Sequence, residues 1–113
     1  MAEQSGCCGG SDVGKDVLLY ACSGGANVAE ASDRACRQLM SEGLGVMFCL
    51  AGLGAGIEPM IDQARAARNV VIDGCPMDCA RKVFEALGVD DVHFVRVTDI
   101  GLAKKAKGVR ATD

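Results

Sequence analysis

The stretch Val17-Leu18-Leu19-Tyr20-Ala21-Cys22-Ser23-Gly24-Gly25 decides the fold. An unbroken apolar run that stops at small residues and glycine has the pattern of a strand buried on both faces, and such strands belong to parallel sheets covered by helices. After it, Val28, Ala31, Ala35 and Leu39, with Cys36 and Met40 one step round, recur at helical spacing. Asn27 offers an N-cap with Glu30 three residues on, and Gly43 ends this helix. Residues 45–50 read as a second buried strand, broken by Gly52, Gly54 and Gly56, and Ile57, Met60, Ile61 and Ala64 then mark a second helix. Residues 70–73 form a third strand and Gly74-Cys75-Pro76 a turn. Cys79, Ala80, Val83, Phe84 and Leu87 are the apolar stripe of a third helix, with Pro76 expected at its first position and Gly88 closing it. A fourth strand follows at 92–97. Regular alternation of strand and helix predicts an α/β fold: a three-layer, Rossmann-like open parallel sheet of about four strands with flanking helices.

The chain has 113 residues, half of them apolar, enough for one ordinary core. Residues 1–15, small and polar around Cys7-Cys8, read as a flexible leader, and residues 16–113 as a single α/β domain. A net charge of -3, with both signs interspersed, gives no basic surface for a phosphate backbone. Aromatic residues make up only 4% and Trp is absent, so base-stacking platforms are missing too; nucleic acid is not an expected partner. No secretory pattern and no apolar span of membrane length is present, which points to a cytoplasmic protein with no membrane partner. The tail beyond Gly101, carrying Lys104, Lys105, Lys107 and Arg110, reads as a solvated short helix or frayed end without a function.

Seven cysteines are many for this length, and in a reducing compartment clustered thiols point to metal binding or redox chemistry before disulfides. In an open parallel sheet the carboxyl ends of all strands share one edge, where ligands bind. Cys22 ends the first strand, Cys49 lies near the end of the second, Cys75 follows the third and Cys79 sits at the start of the next helix. The intervals from Cys22 to Cys49 and from Cys49 to Cys75 each match one strand–helix unit, so the same station carries a thiol three times running. Free Cys is often merely a small buried hydrophobe, which suits Cys36 on its helical stripe; four at one edge read better as a joint site. A helix N-terminus should place partial positive charge and unpaired N–H groups beside Cys75 and Cys79, and the glycines at 24, 25, 52, 54, 56 and 74 should let the loops approach closely. The expected ligand is a metal ion such as zinc, held by the thiolates of Cys22, Cys49, Cys75 and Cys79.

With Asp73-Gly74-Cys75-Pro76-Met77-Asp78-Cys79-Ala80, Cys22-Ser23-Gly24 and Cys49-Leu50-Ala51-Gly52, the chain resembles the DGC domain family of zinc-binding proteins over roughly residues 16–107. The resemblance implies that the family's four metal-chelating cysteines correspond to Cys22, Cys49, Cys75 and Cys79. It implies a site and names no reaction or protein partner.

Other chemistries use the same residues. An iron–sulfur cluster takes four thiolates equally well. A thiol redox or sulfur-transfer enzyme would employ Cys75 and Cys79 as a dithiol, with Cys22 or Cys49 resolving or accepting sulfur. A three-cysteine zinc with an open position would need a base, Asp73 or Asp78, yet Asp73 reads more simply as a strand-end cap and Asp78 as a first-turn acid. Gly52-Leu53-Gly54-Ala55-Gly56 fails as a dinucleotide fingerprint because position 57, where the third glycine belongs, is Ile. His93, beside Phe94 on a strand, reads as packing or surface. Cys7 and Cys8 read either as a pair that captures and delivers a soft metal or simply as an exposed, oxidisable pair. No catalytic residue is assigned.

Overall fold

The apolar run that opens the fold becomes β1 (Val17–Ala21), and its alternating side chains feed two cores. Leu18 and Tyr20 leave toward one face, where they pack with Phe48, Leu53, Ile61, Val71 and Phe84. Leu19 leaves toward the other, among Val28, Cys36, Ile72 and Val97. This computed structural model describes residues 16–22, 24–106 and 108–112; residues 1–15, with Cys7 and Cys8, lie outside that set.

Along the chain follow α1 (Asn27–Ser41), β2 (Val46–Met47), α2 (Leu50–Gly54), α3 (Glu58–Arg65), β3 (Arg68–Asp73), α4 (Cys79–Leu87) and β4 (Val92–Arg96), then a 3₁₀ turn, Val97–Ile100. The four strands form one sheet in the order β2-β1-β3-β4 and every pairing is parallel. All five residues of β1 pair with β3, and two with β2. α1 and the 3₁₀ turn cover one face, while α2, α3 and α4 cover the other. This is the expected three-layer open α/β arrangement. The chain passes from β1 to one side and returns on the other, so the strand order switches between β1 and β3, the place where such sheets leave a crevice at their carboxyl ends. No helix among the described residues is long and apolar enough to cross a membrane.

The structure departs from the sequence reading in four places. The second strand is only Val46–Met47, and Leu50–Gly54, expected as strand end and loop, is the short helix α2. Leu53 is 1% exposed there, and this burial outweighs the helix-weakening effect of two glycines. α1 is capped by Ala26 without a side-chain bond, while Asn27 is its first helical residue. Pro76 lies in the turn before α4, which starts at Cys79. Among the described residues the tail has neither helix nor strand after Ile100, and it is tied to α1 by side-chain bonds to its backbone.

Tyr20 is fully buried, edge-on to Phe84 at 4.7 Å and to Phe48 at 5.9 Å between ring centroids. Its hydroxyl meets no hydrogen-bond partner among the described residues, and burial pushes its pKa well above the ordinary value. An unpaired buried hydroxyl carries a desolvation penalty of about 1–3 kcal/mol. Tyr20→Phe, which keeps the ring contacts and removes that group, is therefore expected to leave stability unchanged or raise it by up to about 1 kcal/mol, read from the midpoint of urea unfolding.

Candidate functional site

The carboxyl edge between β1 and β3 is built around Asp73, the last residue of β3 and only 3% exposed. Its two carboxylate oxygens accept hydrogen bonds from the backbone N–H groups of Ala80 (2.9 Å) and Arg81 (3.0 Å). Asp73 thus caps α4 across the intervening loop, as a strand-end acid was expected to do. The helix's own N-cap residue, Asp78, makes no side-chain cap; it sits at φ 53° and turns its carboxylate to Arg96, whose Nε donates at 2.9 Å. Arg96 holds the Asp78 carboxyl below the usual carboxylate range and is itself pushed up by that acid. Both ends of the 74–78 loop are therefore fastened by ionic or charge-assisted bonds.

Of the first N–H groups of α4 that were expected beside sulfur, those of Ala80 and Arg81 are engaged by Asp73. Sulfur finds its donor one residue after Asp73: the Gly74 N–H points at Cys22 Sγ, 3.1 Å away. A Cβ on Gly74 would stand 2.8–2.9 Å from the backbone of Val28 and Ala29, so only glycine lets this loop lie against the start of α1. Of the other glycines read as making room, Gly52 does so under the Met60 thioether, while Gly24, Gly25, Gly54 and Gly56 face open space.

Each cysteine occupies a different station. Cys22 directly follows β1, with its N–H on the Ile72 carbonyl (3.2 Å) and its half-buried sulfur 3.4 Å from Ser32 Oγ. Burial raises its pKa, the Ser32 and Gly74 hydrogen bonds act against that, and the charges of Asp73 and Cys79 add to the rise. Cys49 is the N-cap of α2 and Cys79 the first residue of α4; both are exposed. Cys75 is half-buried, with Lys104 Nζ 3.6 Å from its sulfur. Cys36 is fully buried on α1 and burial pushes its thiol up to about 11, a core residue as its stripe position implied.

Two neighbouring clefts gather these thiols. The larger, about 440 Å³, is lined by Cys22, Cys49 and Cys79 together with Met47, Phe48 and Val83. The smaller, about 280 Å³, is lined by Cys22, Cys75 and Cys79 with Gly74, Met77 and Lys104. Cys22 and Cys79 belong to both. Among the described residues no three Cys, His, Asp or Glu side chains stand close enough to grip a metal ion without moving. The edge is an assembled but open thiol cluster, in which the sulfur atoms share cleft walls without converging on a single point. His93 is exposed on β4 and lines neither cleft. The sequence reading missed Ser32, Asp33 on the wall of the larger cleft, and Lys104. Ser32 was findable, because it lies midway between Val28 and Cys36 on the α1 face that turns to β1.

The sequence profile of the DGC domain matches residues 18–113. The chain is also 32% identical over 89 residues to the anaerobic and virulence modulator AnvM of Pseudomonas aeruginosa, an alignment spanning 78% of this chain and 68% of that protein. No solved structure matches.

Two substitutions separate the supports of the loop. Gly74→Ala forces a methyl against helix backbone that has little freedom to yield, and is expected to cost about 1–3 kcal/mol in urea unfolding. Asp73→Ala removes the cap of α4 and is expected to cost about 1–2 kcal/mol.

Proposed function

The chain belongs to the DGC domain family, and we propose that its cysteine-lined edge is a metal site in which Cys22, Cys49, Cys75 and Cys79 hold zinc. The observation that carries this reading is the sharing of Cys22 and Cys79 between the two clefts. Cys49 lines one of the clefts that meet at this pair and Cys75 the other, so a joint site requires the four side chains to move toward one point. The donor chemistry fits: four sulfurs are the set that suits a tetrahedral, closed zinc, and no histidine competes for a place. The surroundings fit as well, since a four-thiolate zinc carries net negative charge, and the Gly74 N–H donates to the Cys22 sulfur while the Lys104 ammonium stands 3.6 Å from that of Cys75.

Zinc bound by four thiolates brings structural closure and no open position for water, so the reading makes this a binding or regulatory domain. Asp73 and Asp78, the acids nearest the cysteines in sequence, are tied to the α4 backbone and to Arg96. The name of the Pseudomonas aeruginosa relative describes a modulator, and a regulatory role of that general kind is the one proposed for this chain.

Elemental analysis of anaerobically purified protein tests the proposal, with one zinc per chain expected. Cys22→Ser and Cys79→Ser should abolish retention, because each removes a ligand common to both clefts. Cys49→Ser and Cys75→Ser should keep a weaker, faster-exchanging ion on the remaining three thiolates. Protein that elutes metal-free with all four thiols titratable would overturn the reading, and brown protein carrying iron would replace zinc by an iron–sulfur cluster.

A further inference from the structure

Among the described residues beyond Ile100 the chain forms no helix or strand, yet this segment is fastened to the domain at two points. Asn27, only 3% exposed, donates from Nδ2 to the Ala103 carbonyl (3.0 Å) and accepts the Lys105 N–H at Oδ1 (2.9 Å). Both halves of a buried amide are thus engaged by backbone more than seventy residues further along the chain. One helical turn later, Glu30 accepts the Arg110 Nε (2.8 Å) and the Ala111 N–H (2.9 Å). Those bonds, Arg110 foremost, hold the Glu30 carboxyl well below its usual range. Lys104 lies within the first fastening, between the two residues that Asn27 clamps, and its ammonium reaches the Cys75 sulfur at 3.6 Å. It also forms part of the wall of the smaller cleft.

We infer that this segment is a strap over the thiol edge: clamped by Asn27 and Glu30, it covers the Cys75 side with Lys104 and leaves the Cys49 side as the open approach. The asymmetry of the cysteines follows, since Cys75 is half-buried whereas Cys49 and Cys79 are exposed. Detachment costs the Asn27 amide both of its hydrogen bonds to the segment, which favours the closed strap at rest. Glu30 and Arg110 sit nearer to water and add a weaker, exchangeable hold. If the edge carries metal, as proposed above, an ion enters and leaves past Cys49, and Cys75 closes behind it under the strap.

The test uses the full chain, reduced and stripped of metal. Cys75 and Cys49 are labelled in parallel with N-ethylmaleimide and with a polyethylene-glycol maleimide, and modification is followed by peptide mass spectrometry. Both reagents attack through the same chemistry, so the ratio of bulky to small rates at one cysteine cancels its thiolate fraction and reports access. The ratio at Cys75 is expected to lie several-fold below that at Cys49 in the unsubstituted protein, and to rise toward it in Asn27→Ala. Glu30→Gln, which leaves the buried clamp in place, should give a smaller rise and guards against misfolding of the first variant. Equal ratios at the two cysteines, or a Cys75 ratio unmoved by both substitutions, overturn the strap. Protein that takes up no zinc while Cys75 stays shielded sinks the metal site and leaves the strap standing.

Discussion

The buried carboxylate of Asp73, bonded to the Ala80 and Arg81 N–H groups, is the constraint on which the thiol edge depends. A carboxyl group only 3% exposed is costly to bury unless its oxygens are satisfied, and here the start of α4 satisfies them. That bond sets the distance between the tip of β3 and the first turn of α4. The five residues between are forced into a tight excursion, which presses Gly74 against α1 and leaves Cys75 and Cys79 at its two ends. The left-handed conformation of Asp78 closes the excursion, and Arg96 keeps it closed. The positions of two cysteines are therefore consequences of one acid–helix contact.

The same contact determines how charge is distributed. A helix start is the usual place to stabilise thiolate, but two amides of this one, those of Ala80 and Arg81, are already taken by Asp73. Positive character has to come from other parts of the chain: a single glycine N–H reaches Cys22, and a lysine from the far carboxyl-terminal segment reaches Cys75. Sulfur in the larger cleft has apolar neighbours in Met47, Phe48 and Val83. One edge thus offers two clefts, one with Asp33 on its wall and one with Lys104, joined by Cys22 and Cys79.

Much of this was legible in the sequence, for identifiable reasons. The unbroken run at 17–22, the helical stripe ending in Leu39 and the recurrence of a strand near each cysteine depend on local periodicity, which burial on a two-sided sheet imposes directly. The gathering of four cysteines at one edge followed from topology, because parallel strands place all their exits together. What depended on contact between distant segments was not legible. Leu50 and Leu53 suit a buried strand end and a buried helical turn equally well, and only packing of Leu53 against the core selects the turn. Asn27 has the identity and position of an N-cap, yet a partner far along the chain recruits its amide instead. Lys104 lay in a charged tail whose composition suggested only solvation.

The tail contacts also explain why α1 tolerates a start without a cap. Ala26 offers no side chain to the first amides of the helix, and Asn27, which could have served had the helix begun one residue later, is turned away. Glu30 in the first turn favours the helix N-terminus electrostatically and at the same time accepts Arg110 and the Ala111 N–H. The beginning of α1 and the carboxyl-terminal segment therefore complete one another: the segment finds both of its clamps on α1, and α1 gains a covering that its own sequence lacks. Because Gly74 lies against the backbone of Val28 and Ala29 in that same first turn, the loop that carries Cys75 and the segment that carries Lys104 meet on a common support.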